Sequence, residues 1–373
     1  MVLYCPETGD VCRRYYMKKK IQIIVGCAIG LFLLWYLFKD TDWGEVWQTL
    51  RAARLGWLFL GLMTILISFL IRIWRWHYIV NPVVSVPFWR LFSATQIGFL
   101  GNFVLPARIG EVIRAVALSR SQKIPLPKTM AFVAVDRMTD LFGLVAVFVV
   151  TLVAFRPAQD VYLPEDLRNL YDGPISQGMI RSAVFTMTVV LLSGTALMMA
   201  LFARKDFFLA LSDAILGRVS QRLAQIVHNL FAHFAEGMQV LTSVGDLAKA
   251  TGVSLLLWVF FALGPFCTYT AFGLDMPWYT PFVMLSLLAV FISIPGPPGF
   301  IGPFHAGVVG GLILVDPEVN LNTARAIAIF AHLFNLVPIL IIGVICLSFE
   351  RLDFRELSRE SEEIAESDHA PEA

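Results

Sequence analysis

The sequence predicts an all-α polytopic membrane protein with six spanning helices, two broken or re-entrant helical hairpins and an inverted internal repeat. Three observations carry this expectation. Hydrophobic residues make up 57% and charged residues 15% of the 373 positions, with a mean hydropathy of +0.71, whereas ordinary soluble chains hold about 45–50% and about 25%. A soluble fold would lack the polar surface to cover itself. Next, the chain carries charge-free apolar runs long enough to cross hydrocarbon, which takes about twenty residues at ~1.5 Å each. Finally, prolines and glycines crowd two further apolar regions, and broken backbone is tolerated at membrane depth only where protein or water satisfies its N–H and C=O groups.

The six spans are Ile21–Phe38, Leu55–Ile71, a helix from Met130 to Phe155, Ala183–Ala203, Ala250–Phe272, and the stretch from Ala326 to Glu350, kinked at Pro338. The first broken hairpin covers Phe88 to Ser119 and contains Pro106 and Gly110. The second covers Met276 to Val315 and contains Pro295-Gly296-Pro297-Pro298-Gly299 and Gly302-Pro303. The order of elements occurs twice, over about 21–155 and about 180–350. Each copy has an odd number of crossings, so the second is inverted relative to the first, as in many secondary transporters. Amphipathic stretches from Trp43 to Arg54 and from Asp206 to Ser243 occupy matching places in the two copies.

Lys and Arg set the orientation. Residues 1–20 form a cytoplasmic N-terminal segment with Arg13, Arg14, Lys18, Lys19 and Lys20, and Arg114, Arg120, Lys123 and Lys128 fall on the same side. The loop holding Asp160, Glu165, Asp166 and Asp172 is acidic and lies outside. Both termini are therefore expected in the cytoplasm, with 351–373 as an acidic tail of eight carboxylates against three arginines. The first apolar run is too long for a signal peptide and lacks its cleavage site, so it reads as an uncleaved anchor, with Met1 and Met17 both open as starts. Cys5, Cys12, Cys27, Cys267 and Cys346 make neither a disulfide framework nor a zinc site.

An ionised side chain at mid-bilayer costs about 2.5–3.5 kcal/mol on the insertion scale, so each one needs a partner, a wet cavity or a route to the interface. Arg108, Glu111 and Arg114 lie three apart on one helix face behind Asn102 and Pro106, with Glu111 placed to neutralise either arginine. A helix N-terminus beside arginine suits phosphate. Asp136 and Asp140, flanking Arg137, are like-charged i,i+4 neighbours that require a cation, and Arg108 or Arg114 is the expected one. Arg72, Arg75 and His77 sit among tryptophans and read first as an interfacial belt, able to attract anionic headgroups. His305 follows the second Pro/Gly run, where the repeat would face it toward the acidic hairpin. His332 and Asn335 share a helix face.

At these residues the sequence resembles the flippase-like membrane family whose known member is the membrane half of lysylphosphatidylglycerol synthases. The resemblance spans roughly residues 20–350. It rests on the Arg72 and Arg75 helix end, Asn102-x-x-x-Pro106-x-x-x-Gly110-Glu111-x-x-Arg114, Asp136-Arg137-x-x-Asp140, and Pro295-Gly296-x-x-Gly299-x-x-Gly302. It implies a bacterial inner-membrane lipid translocase. Synthase relatives add an aminoacyl-transfer domain, which is not expected in the short tail after Glu350. Relatives often carry Glu where this chain has His305.

The expected function is movement of an anionic or modified lipid headgroup between leaflets, with Arg72, Arg75, Asn102, Arg108, Glu111, Arg114, Asp136, Arg137, Asp140 and His305 as substrate-binding residues. No catalytic residue, cofactor or metal is expected. The expected partner is a membrane phospholipid or polyprenyl-phosphate lipid, not nucleic acid; a second copy of the chain or an envelope enzyme stays open as a protein partner. Two alternatives stand beside this: an enzyme acting on lipid-linked phosphate or sugar, for which Asp136 and Asp140 are the sole metal-holding candidates, and an envelope scaffold docking through 206–243.

Overall fold

A computed structural model describes residues 25, 27–105, 109–157, 160–168, 172–203, 244–293, 297–350 and 352–367. The start of the first span, Pro106 to Arg108, the amphipathic stretch 206–243 and residues Pro295 and Gly296 lie outside them. The described elements are α1 (Cys27–Phe38), α2 (Trp43–Ala52), α3 (Leu55–Val80), α4 (Phe88–Val104), α5 (Gly110–Gln122), α6 (Leu126–Ala154), α7 (Gln177–Ala203), α8 (Val244–Ala271), α9 (Thr280–Ser293), α10 (Pro303–Val315), α11 (Leu321–Glu350) and α12 (Phe354–Ser367). Short 3-10 turns occupy Glu165–Leu167 and Pro298–Phe300. The only β pairing among the described residues is one antiparallel bridge between Val161 and Ile175.

Six described helices are long and apolar enough to cross a membrane: Leu55–Val80, Leu126–Ala154, Gln177–Leu197, Ala248–Ala271, Pro298–Val315 and Leu321–Glu350. The chain is an all-α, multi-pass membrane protein. Five of the six coincide with expected spans. The other, Pro298–Val315, belongs to the second broken hairpin, and the first expected span is described only over Cys27–Phe38. Large apolar side chains such as Phe185 and Val190 on α7 and Ile341 and Val344 on α11 are exposed, as suits surfaces solvated by lipid.

The two hairpins, α4–α5 and α9–α10, are tightly paired within themselves. Packing then joins α3 to α8, and sets α6 against α5 and α9 while α11 lies against α4 and α10. Each hairpin is thus held between α6 and α11. Among the described residues the two largest buried clusters lie on either side of this packing. One joins α3, α4, α5 and α6 through Trp76, Leu91, Ile113 and Phe132, and the other joins α8 to α11 through Tyr269, Met284, Leu312 and Ile327.

Glycine decides how close the broken hairpins come. A Cβ on Gly110 would collide with the carbonyl oxygen of Gly98 and the side chain of Asn102, and one on Gly98 would meet Arg114 Cβ at 2.7 Å. Only hydrogen fits there, so α4 and α5 touch backbone to backbone. At the other break Gly302 has φ +93, a conformation L side chains rarely adopt, and it abuts the backbone of Gly30 in α1.

The segment after the last span is more than the tail expected from the sequence. Helix α12 docks on α5, burying Leu357 completely, with Arg120 paired to Glu356 at 3.2 Å and to Glu360. At the opposite end of the molecule Arg325 is buried. It donates from Nε to the Leu37 carbonyl at 2.7 Å, from Nη1 to the Asp40 carbonyl at 3.3 Å and from Nη2 to Asp166 Oδ2 at 3.2 Å, tying α1, the loop holding Asp166 and α11 together.

Candidate functional site

The end of α3 carries Arg72 and Arg75 at helical spacing on the face that also holds Trp76 and Ile79. That face is buried, whereas Trp74 is exposed. The interfacial-belt reading therefore applies to Trp74 and fails for Arg75, which has no exposed surface. The 3.6-residue period turns residues two positions apart toward opposite surroundings.

Arg75 is the cation that reconciles the two aspartates of α6. Its Nε donates to Asp136 Oδ1 at 3.0 Å, and Nη1 donates to Asp140 Oδ1 at 2.5 Å and to Ser254 Oγ at 3.0 Å. Ser254, on α8, in turn donates to the Thr139 carbonyl at 2.6 Å. Arg114, on α5, donates to the second oxygen of Asp136 at 2.7 Å and lies with its guanidinium 3.6 Å from the centre of the Trp76 ring. Its Nε and Nη2 have no hydrogen-bond partner among the described residues. Arg72 reaches Asp140 Oδ2 at 3.3 Å and sits over the rings of Phe99 and Phe261.

Glu111 does not neutralise Arg114 directly as expected from their spacing. It pairs with Arg137 Nη2 at 2.7 Å, while Arg137 Nη1 donates to Asp140 Oδ2 at 3.2 Å. Asn102 accepts the Gly110 N–H at 2.9 Å, capping the start of α5 and fixing the angle between the hairpin's arms. Arg108 lies outside the described residues. The structure thus joins Arg72, Arg75, Glu111, Arg114, Asp136, Arg137 and Asp140 in one network. It does not bring His305 there: His305 Nδ1 accepts the Gly302 N–H at 3.4 Å, and its ring packs against those of Phe38, Phe304 and His332. His332 hydrogen-bonds the Gly299 carbonyl at 2.7 Å, fastening the second broken segment to α11. Asn335 donates to the Ala331 carbonyl instead of joining it.

Access divides the network. The side chains of Arg75, Asp136 and Arg114 expose 0%, 0% and 1% of their surface, those of Arg72 and Asp140 10% and 13%, and those of Glu111 and Arg137 29% and 41%. The first three form a buried clamp. Arg72, Glu111 and Arg137, together with Asn102, border a cavity of about 410 Å³. Its other walls are mainly apolar, from Phe69, Phe99, Phe261, Phe304, Phe334 and Leu288, with Thr268 and Asn335 as further polar points. The cavity is therefore charged at one end and aromatic over most of its length. Sequence reasoning missed Ser254, Trp76 and the cavity-lining Trp258 and Thr268. A serine or threonine in an apolar helix gives no signal of its own, because it can satisfy its hydroxyl on the preceding turn, as Thr268 does.

Comparison with known proteins shows the family. The family model described as lysylphosphatidylglycerol synthase TM region matches residues 23–343. The chain is 23% identical over 375 aligned positions to a protein of Haloferax volcanii named Glycosyltransferase AglD, covering 95% of this chain and 58% of that one. It is 22% identical over 313 positions to a UPF0104 membrane protein of Methanothermobacter thermautotrophicus, covering 80% of this chain and 85% of the relative. No solved structure matches. With the family model matched over residues 23–343, which include both hairpins and the charged network, the chain belongs to the lysylphosphatidylglycerol synthase transmembrane-region family.

Proposed function

We propose that the protein is a lipid translocase that moves an anionic or modified phospholipid, or a polyprenyl-phosphate lipid, between the leaflets of the inner membrane. One observation carries the reading: a cavity inside the helical bundle has guanidinium and carboxylate groups at one end and aromatic walls elsewhere. Such a space matches an amphiphile, with the headgroup at Arg72, Asn102, Glu111 and Arg137 and the chains leaving toward lipid. Arg75, Asp136 and Arg114 hold the surrounding helices in register, and we assign His305 to shaping the second hairpin. Lys and Arg placement puts both termini in the cytoplasm, so the charged end is loaded from that side.

An inverted repeat is part of the proposal. It is supported by the reciprocal packing in which α6 meets α9 as α11 meets α4, with α3 against α8. The membrane domain would then be residues 21–350, with repeats over about 21–155 and about 180–350.

The glycosyltransferase name of one relative favours a second reading, an enzyme acting on lipid-linked sugar. The match leaves a large part of that protein uncovered, so its named activity need not reside in the shared region. A metal-dependent version fits the residues poorly, because Asp136 and Asp140 are already engaged by guanidiniums whose charge opposes a divalent cation.

Reconstitution in liposomes with fluorescent lipids in one leaflet tests the proposal. The expected result is accelerated exchange of at least one anionic lipid over protein-free vesicles. No acceleration for any common phospholipid or polyprenyl phosphate would overturn it.

A further inference from the structure

Resting on the translocase reading, we infer that the site selects its lipid by charge: it takes a phosphodiester headgroup of net charge −1, which displaces Glu111 from Arg137 as it binds. The described members of the network are four guanidiniums, on Arg72, Arg75, Arg114 and Arg137, and three carboxylates, on Glu111, Asp136 and Asp140. One positive charge is left over among these described members, and beside a mainly apolar cavity it lacks a counter-charge. A monoanion cancels it, a zwitterion leaves it, and a dianion replaces it with an excess of the opposite sign.

Geometry fixes where that anion enters. Asp136 is closed off, with each oxygen held by a buried arginine. Asp140 is held by Arg75 from one side and by Arg72 and Arg137 from the other. The most exposed pair of the network is Arg137 with Glu111, and both line the cavity beside Arg72. A phosphate oxygen competes for a guanidinium on the same terms as a carboxylate. Glu111 belongs to hairpin arm α5 and Arg137 to α6, so their ion pair is a tie between two elements. A headgroup that takes Arg137 removes one of the two described ion-pair ties between the hairpin arm and α6, leaving Arg114 on Asp136 as the other; binding is thereby coupled to the freedom of the arm's Glu111 end, and Glu111 regains Arg137 when the lipid leaves.

The test compares three acyl-labelled lipids in proteoliposomes: phosphatidylglycerol, a monoanion; phosphatidylethanolamine, a zwitterion; and phosphatidic acid at mildly alkaline pH, where its phosphomonoester is dianionic. The wild-type protein is expected to move phosphatidylglycerol about tenfold faster than either of the others. Glu111→Gln raises the network's charge by one and is expected to shift the preference toward phosphatidic acid. Arg72→Gln lowers it by one and is expected to level phosphatidylglycerol with phosphatidylethanolamine. Each readout is a ratio within one preparation, and the wild-type ratios test the charge match even where a variant fails to fold. Lipids that move with equal ratios in the wild-type protein overturn the inference and leave the translocase reading standing. A failure of all three, with polyprenyl phosphates also unmoved, overturns that reading itself. Excess inorganic phosphate is expected to leave phosphatidylglycerol exchange unchanged; a phosphate that competes assigns the site to a free anion and overturns the lipid assignment.

Discussion

Arg75 Nε lies 3.0 Å from Asp136 Oδ1, across 61 residues of sequence, and neither side chain exposes any surface. A buried pair of this kind adds little stability relative to well-packed apolar residues, but removing one partner strands the other. Asp136→Asn leaves both Arg75 and Arg114 short of their counter-charge. The expected loss is about 3–5 kcal/mol, seen as a lowered unfolding midpoint in detergent. Arg75→Gln on its own should cost a similar amount. The double variant should cost less than the sum, since the two groups share one interaction.

The contact of α4 with α5 depends on hydrogen at Gly98 and Gly110. Gly110→Leu must force the arms apart, because its side chain would occupy the space of the Gly98 carbonyl and Asn102. Overpacking costs about 1–3 kcal/mol and often more where backbone must move. Both thermal stability and lipid exchange should fall, whereas the same change at Gly252, where a Cβ meets nothing within 4 Å, should alter stability by less than ~0.5 kcal/mol.

Filling the cavity should separate transport from folding. Ala331 lines it with a small side chain, so Ala331→Trp places an indole where the lipid would lie. Lipid exchange is expected to drop at least about tenfold, with the unfolding midpoint within the range of an ordinary substitution, ~1 kcal/mol. Unchanged exchange together with a filled cavity would show that the lipid passes elsewhere.

Docking of α12 rests on Leu357 more than on its ion pairs. Arg120, Glu356 and Glu360 are partly exposed, and exposed pairs contribute about 0–1 kcal/mol. Arg120→Ala should therefore leave protease resistance of the tail nearly unchanged. Leu357→Ala removes a fully buried side chain, a change worth about 2–5 kcal/mol in a core, and should make residues after Phe354 readily cleaved in limited proteolysis.

The sequence was most legible where burial is continuous. A run of twenty apolar residues has one stable disposition in a membrane, so α3, α6, α7, α8 and α11 could be placed without knowing their neighbours. It was less legible where a helix is short or broken: Pro298–Val315 reads as part of a hairpin because its prolines and glycines outweigh its hydropathy. Helix α12 was hidden by its charge, since a helix whose described buried side chains are Leu357 and Ser361 looks like a polar tail.

The sequence by itself determined that this chain is a multi-pass membrane protein, and that a few charges on α5 and α6 need partners, because hydrocarbon leaves an ionised group few alternatives. Arg114, one of the two cations expected for the aspartates of α6, does reach Asp136, but only the tertiary structure decided the other partners. Spacing along a helix proposed Glu111 for Arg114, yet Glu111 pairs with Arg137 and Arg75 takes Asp136 and Asp140. Ion pairing in a low-dielectric interior follows distance and orientation through space, and those are set by the backbone contact of α4 with α5 and the packing of α3 on α8. Neither is written in the spacing of charges along one helix.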